Sequence, residues 1–361
     1  MNSKNVAINN KEIQYMRAIA IILVVLQHAI VANTDNNVAY VIASVCYSID
    51  VKVFMFISGY LFENNYDKYR QQGNKKFIIR KFENLMIPYL FWECVLYFGA
   101  WVIYNGPNVL SRFSGVVEGL GFSRLSLSQI FVSLLTFQDS YIELYWFIYA
   151  LFVIFVIQYI TKRCLATKVG IVGMMLIIPF IRCFVDVYIV DKILASIILF
   201  SFGRFAKTKN FECKSIKWWM ALTAGCVFFI FFFAPDLIEV IYLEQLWTML
   251  KSAILGVCGV IIVSWLAVVV SKFSVISKCA KLIGNYSFSI YILHNPWVVK
   301  LVSLILPCRG GVGTCICVII GVIIPIAVDK IILQKSRFLS FLLMGRRIPG
   351  KSNKANDRKA L

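Results

Sequence analysis

Residues 15–30 read YMRAIAIILVVLQHAI. The stretch is apolar enough for a membrane helix, yet it holds Arg17 and His28, and the chain has only 2 histidines. Whether it crosses lipid or fills a soluble core decides the fold. The composition around it answers. Of 361 residues, 60% are hydrophobic and 15% charged. A soluble chain of this length cannot hide that much apolar surface, so lipid is its solvent. A span needs roughly 20 apolar residues. Ten runs of this kind follow one another, at 14–33, 38–62, 84–104, 144–161, 168–181, 190–206, 216–234, 247–270, 284–306 and 312–333. A further apolar piece, SLSQIFVSLLTF at 126–137, is too short to span and reads as an interfacial or re-entrant helix. The fold class predicted is an all-α integral membrane protein of about ten transmembrane helices.

Charge sets its orientation. With the N-terminus cytoplasmic, and cations at span ends counted with the adjoining segment, the inner segments carry 28 of the 37 Lys and Arg, the outer segments 5, and 4 lie well within spans (Arg17, Lys52, Lys251 and Lys300). This asymmetry predicts that both termini are cytoplasmic. It also accounts for the net charge of +19. Topology and anionic lipid explain that excess, and nucleic acid is not needed as a partner. Residues 1–345 form one membrane domain, and 346–361 read as a basic, disordered cytoplasmic tail. The 11 cysteines are scattered, with no metal-ligand spacing, and read as small apolar residues. No cleavable signal peptide is expected.

The chemistry-bearing residues are the ionisable ones at membrane depth. Arg17 and His28 are 11 residues apart, which places them about 20° apart on the helical wheel and about 16 Å apart along the axis. Taken singly, Arg17 would snorkel to the headgroups and His28 would bond a neighbouring helix. On one shared face they point to a cavity or a pathway. The second histidine ends GNYSFSIYILHNP, 284–296, where Ser287, Tyr291 and His294 share a helix face and Pro296 kinks the helix. A polar patch that merely holds the kink is the alternative for His294. In SIDVKVFMFISGYLF, 48–62, Asp50 and Lys52 point to different sides, and Ser58-Gly59 permits close backbone approach. Lys76, Arg80 and Lys81 open the 84–104 span with a basic cluster that suits phosphate, or that simply anchors the helix. Tyr145 and Trp146 read as interface aromatics.

In this order, RAIAIILVVLQH, FMFISGYLF, LYWFIYALFVI and NYSFSIYILH resemble the motifs of acyltransferase family 3. Its members are membrane O-acyltransferases of surface polysaccharides and related glycans. The resemblance covers about residues 10–335. It implies a cell-membrane, multi-pass enzyme. The acyl-CoA, usually acetyl-CoA, is a cytoplasmic co-substrate rather than a resident cofactor, and the acceptor is a glycan hydroxyl. Carried onto this chain, it implies His28, Arg17, His294, Tyr291 and Ser58 as catalytic residues. It implies Arg17, Arg80, Lys81, Lys76 and Trp146 as donor-binding residues, and no metal. The family's third helix often opens with two arginines before a proline; Lys81 and Asn84 stand at those places here, with Arg80 adjacent. Many members add a soluble esterase-like domain, and none is expected in these residues.

Desolvation disfavours an imidazolium, and a neutral imidazole can accept a proton from a hydroxyl attacking a thioester. Ser58, Tyr291 and Asn295 are candidate oxyanion donors. An acyl-histidine relay is the other route. The alternative function is a multi-pass transporter or flippase, since polar residues at mid-membrane also mark transport sites.

Overall fold

The computed structural model describes residues 3–107, 114–119, 126–136, 144–185, 187–235, 240–306 and 309–346. Among them every regular element is helical. In chain order these are α1 (Ser3–Asn33), α2 (Asn37–Asn64), α3 (Tyr66–Gln72), α4 (Asn74–Lys81), a π-helical turn (Phe82–Met86), α5 (Ile87–Asn105), α6 (Ser114–Gly119), α7 (Leu127–Thr136), α8 (Trp146–Ile160) and α9 (Lys168–Arg182). There follow α10 (Tyr188–Thr208), α11 (Trp218–Phe232), α12 (Ile241–Ser271), α13 (Ser274–Asn285), α14 (Ser287–His294), α15 (Val299–Ile305), α16 (Gly310–Ile331) and α17 (Arg337–Met344).

All ten apolar runs are helical, but they differ as spans. Five stretches are long and apolar enough to cross a membrane, namely Lys11–Asn33, Asn37–Asn64, Asn74–Asn105, Ile241–Ser271 and Gly310–Lys335. A sixth is the broken pair α14 and α15, bent by 46°. The break falls at Pro296, whose ring removes a donor and opens the helical ladder. The others are shorter or more polar. At 15 residues, α8 is only about 22 Å long, short of a ~30 Å hydrocarbon core. In α10, Asp191, Lys192, Arg204 and Lys207 interrupt the apolar run. The 126–137 piece is the ten-residue helix α7.

Helix α1 lies at the centre, packed against α2, α12, α13, α14, α15 and α16. Residues 34–36 return the chain directly, so α1 and α2 are antiparallel neighbours. The Asn36 side chain accepts from the Val38 N–H at 2.8 Å and caps α2. Helices α2 and α10 make the closest approach, and glycine allows it. A Cβ on Gly59 would lie 1.9 Å from the Phe200 carbonyl oxygen, and one on Gly203 would lie 2.1 Å from that of Phe56. The Ser58-Gly59 pair thus performs the close approach its sequence predicts. Gly59→Ala or Gly203→Ala must force the helices apart, at about 1–3 kcal/mol. The expected outcome is a lower melting temperature in detergent for either variant, with no comparable loss for Gly225→Ala, where a Cβ meets nothing within 4 Å.

A buried ionic network joins α2, α8 and α10 near the α2 C-terminus. Arg204 is fully buried and donates from Nε and Nη2 to Glu63 Oε2, at 2.9 and 2.7 Å. Its Nη1 donates to Gln158 Oε1 at 2.8 Å and to the Lys162 carbonyl at 2.6 Å. Arg163 donates to the other Glu63 oxygen at 2.6 Å. In the loop after α10, burial pushes the Cys213 thiol up to about 12, aided by Glu12. That thiol donates to Met16 Sδ, as an inert packing residue does. The ten described cysteines are free, four of them buried and five exposed.

Candidate active site

Among the described residues, two cavities lie towards opposite ends of the bundle. The first has a volume of about 1190 Å³. It opens at the end that holds the α1 N-terminus, the α2 C-terminus and α4. Its walls include Arg17, Ser58, Lys75, Lys76, Arg80, Tyr291 and Arg346. Lys75, Lys76 and Arg80 are exposed at its mouth, and Arg17 is half-buried further along α1. Among the described residues Arg17 makes no hydrogen bond or ion pair. A guanidinium without a bonded partner in an apolar helix is costly, and this one faces the cavity.

Arg346 joins this wall through a motif that the sequence reading did not single out. It donates from Nη1 to both Asp329 oxygens, at 3.0 and 2.7 Å, and from Nη2 to Ser289 Oγ at 3.0 Å. Ser289 Oγ in turn donates to Asp329, which is fully buried. Gly345, in the left-handed conformation with φ 62°, ends α17 and turns the chain towards the cavity. Arg346 therefore belongs to the folded body, although the sequence placed it in the tail; 347–361 lie outside the described residues. The readable signal was Asp329, an acid inside an apolar run.

Lys81 and Trp146 do not line this cavity. The Lys81 ammonium instead stands 3.6 Å from the Phe155 ring centroid, with Tyr69 and Phe77 beside it. The π-helical turn that follows adds a residue to the helical repeat and resets which side chains of this span face inward. Arg80 and Asn84 face the cavity instead. Trp146 lines the second cavity, although its neighbour Phe147 lines the first.

Beyond Tyr291 the two histidines meet. Their ring centroids are 5.2 Å apart, at an interplanar angle of 54°. Neither lines either cavity. An aromatic row leads to them from the first cavity. Phe54 packs on Phe147 with centroids 6.0 Å apart, Phe147 on Tyr291 at 5.3 Å, and Tyr291 on His294 at 6.1 Å. His294 Nδ1 lies 2.9 Å from the Ile290 carbonyl and 2.8 Å from that of Tyr291. Carbonyls only accept, so Nδ1 carries the proton and Nε2 keeps a lone pair. Nε2 is buried with no protein partner. Both ring nitrogens of His28 face side-chain amides at 3.5 Å, Nε2 that of Gln27 and Nδ1 that of Asn295. Tyr291 is held by donation to the Leu144 carbonyl at 3.2 Å.

A family model described as an acyltransferase domain matches residues 10–329, nearly the whole chain. The chain belongs to acyltransferase family 3. This family member is a membrane acyltransferase, with apolar helices and a helical body to match. Comparison with curated proteins and with solved structures returns no match.

Proposed function

We propose that the protein transfers an acyl group, acetyl in the first instance, from acyl-CoA to a hydroxyl of a cell-surface or lipid-linked glycan. In this reading the chain crosses the cell membrane ten times with both termini cytoplasmic, and the first cavity opens to the cytoplasm. The observation that carries it is the layout of that cavity. Cations crowd the mouth, Arg17 stands unpaired further in, and the histidine pair lies behind Tyr291. A CoA thioester has the same order, with phosphates at one end, a long neutral arm and a reactive acyl group at the other. Lys75, Lys76 and Arg80 meet the phosphates at the mouth, and Arg17 meets the donor within.

The chemistry then follows from the imidazoles. The glycan oxygen attacks the thioester carbonyl carbon. His28 accepts the hydroxyl proton, the new ester C–O bond forms, and the C–S bond breaks. The departing thiolate recovers the proton from the imidazolium. His294, its tautomer fixed by two carbonyls, supports His28 across the ring pair. The relay route uses the same groups, with His28 taking the acyl group first. Ser58 and Asn295 are the candidate donors for the developing oxyanion, and Tyr291 joins them only by releasing the Leu144 carbonyl.

Donor binding tests the reading. Acetyl-CoA is expected to bind protein in nanodiscs, and Arg17→Gln to weaken that binding about tenfold, the worth of one charge-assisted bond. Titration by calorimetry reads this. If acetyl-, succinyl- and longer acyl-CoAs all fail to bind wild-type protein, the transporter alternative replaces the enzyme.

A further inference from the structure

The second cavity, of about 200 Å³, holds Trp146 apart from the donor cavity, and none of its other lining residues is assigned to the donor. It lies in the half of α2 remote from the first cavity, between Tyr47 and Met55, and continues to Trp146, Lys192 and Ser252. A thin wall divides the two spaces. Phe54 and Met55 are adjacent but line different cavities, and so are Phe147 and Trp146.

Its charge is distinctive. Three cations, Lys52, Arg182 and Lys192, face one acid, Asp191. Arg182 pairs with Asp191 and cancels it. Lys192 donates to Tyr47 Oη at 2.9 Å, and its ammonium sits 5.0 Å from the Tyr188 ring centroid and 5.5 Å from that of Trp146. The aromatic rings fix its position without neutralising it. An ammonium has three donors, so two remain. Lys52 is an ammonium within an apolar helix and has no ion pair or hydrogen bond among the described residues. Asp50, two residues away, is fully buried and outside the cavity's lining; it acts on Lys52 through space, with no hydrogen bond or ion contact between them. The Lys52 stem is locked, since a Cβ on Gly256 would lie 3.1 Å from its Cδ. Two cations with no carboxylate bonded to either among the described residues, held in one small pocket beside the Ser252 hydroxyl, suit an anion attached to a polyol.

We infer that this cavity is the acceptor subsite and takes a sugar bearing an anionic group, carboxylate or phosphate, with Lys52 and Lys192 as its counter-charges. The inference rests on the acyltransferase reading and names its acceptor class. The small volume fits one sugar unit, and the hydroxyl to be acylated faces the aromatic wall.

The test is saturation-transfer NMR and calorimetry on the full chain in nanodiscs, with glucuronate, glucose 1-phosphate and glucose as probes. At least one acidic sugar is expected to bind more tightly than glucose, with the preferred one naming the group. Lys52→Met and Lys192→Met are each expected to weaken it about tenfold, while acetyl-CoA binding stays at the wild-type level. Each keeps a stem of similar length, and melting curves verify that both variants fold. Equal binding of glucose, no binding of either acid, or acid binding unchanged in both variants overturns the proposal. Should the acids bind as expected while no acyl-CoA is cleaved in their presence, the acyltransferase reading fails and the anionic-sugar site stands.

Discussion

Replacing His28 with alanine is expected to lower acyl transfer by about 10²–10⁴-fold, the usual worth of a positioned base, without unfolding the protein. The two halves of this expectation have separate causes. Among the described residues the hydrogen-bond contacts of the imidazole are two at 3.5 Å, the long limit of a hydrogen bond, so its removal costs little structure. Its ring is nevertheless the one set against His294, whose Nδ1 is anchored to two carbonyls. Radiolabelled acetyl-CoA and a glycan extract from the host would be given to wild type and variant after their melts are compared. Label entering glycan with wild type alone places His28 in the chemistry. Equal labelling keeps the enzyme and removes His28 from its mechanism. His294→Ala should also depress transfer, but with some loss of stability, because Ile290 and Tyr291 lose a bonding partner.

The largest stability effect is expected at Arg204. Arg204→Met leaves Glu63 buried with its Oε2 donors gone, and Arg163 reaches only the other oxygen. Removing one member of a buried pair costs about 3–5 kcal/mol, enough to erase much of a folded membrane protein's margin. The expected result is loss of monodisperse protein on extraction, or a steep fall in melting temperature. Adding Glu63→Leu should recover part of that loss, because the stranded charge is then gone. A double variant no better than Arg204→Met would show that the Gln158 and Lys162 bonds, rather than the ion pair, carry the junction.

Much of the site was legible because charge in an apolar run is expensive and therefore meaningful. Arg17, Ser58, Lys76, Arg80 and Tyr291 do share one cavity, and His28 and His294, 266 residues apart in sequence, do meet. What failed was facing. Lys81 follows Arg80, and the sequence does not say that a π-helical turn lies between them and Pro88. Trp146 and Phe147 sit on opposite sides of a wall that no periodicity reveals. Arg204 read as one more inner-loop cation, because its partner Glu63 lies 141 residues earlier. Span number suffers similarly. Long runs such as 247–270 declare themselves, whereas 15-residue helices such as α8 and α11 depend on how their neighbours hold them.

The thin wall between the cavities has an electrical consequence. With the two cavities open to opposite faces, as proposed, water in them would carry each bulk potential inward, and the membrane voltage would fall across the few side chains from Phe54 to Trp146 rather than across the whole bilayer. Moving one elementary charge through that drop costs about 2.3 kcal/mol per 100 mV. In the proposed reaction the acyl group moves one way and the hydroxyl proton the other, so no net charge crosses, while donor and acceptor each stop on their own side. Transfer by this layout is therefore insensitive to membrane potential, and a liposome assay with an imposed potassium-diffusion potential should give the same rate at either polarity.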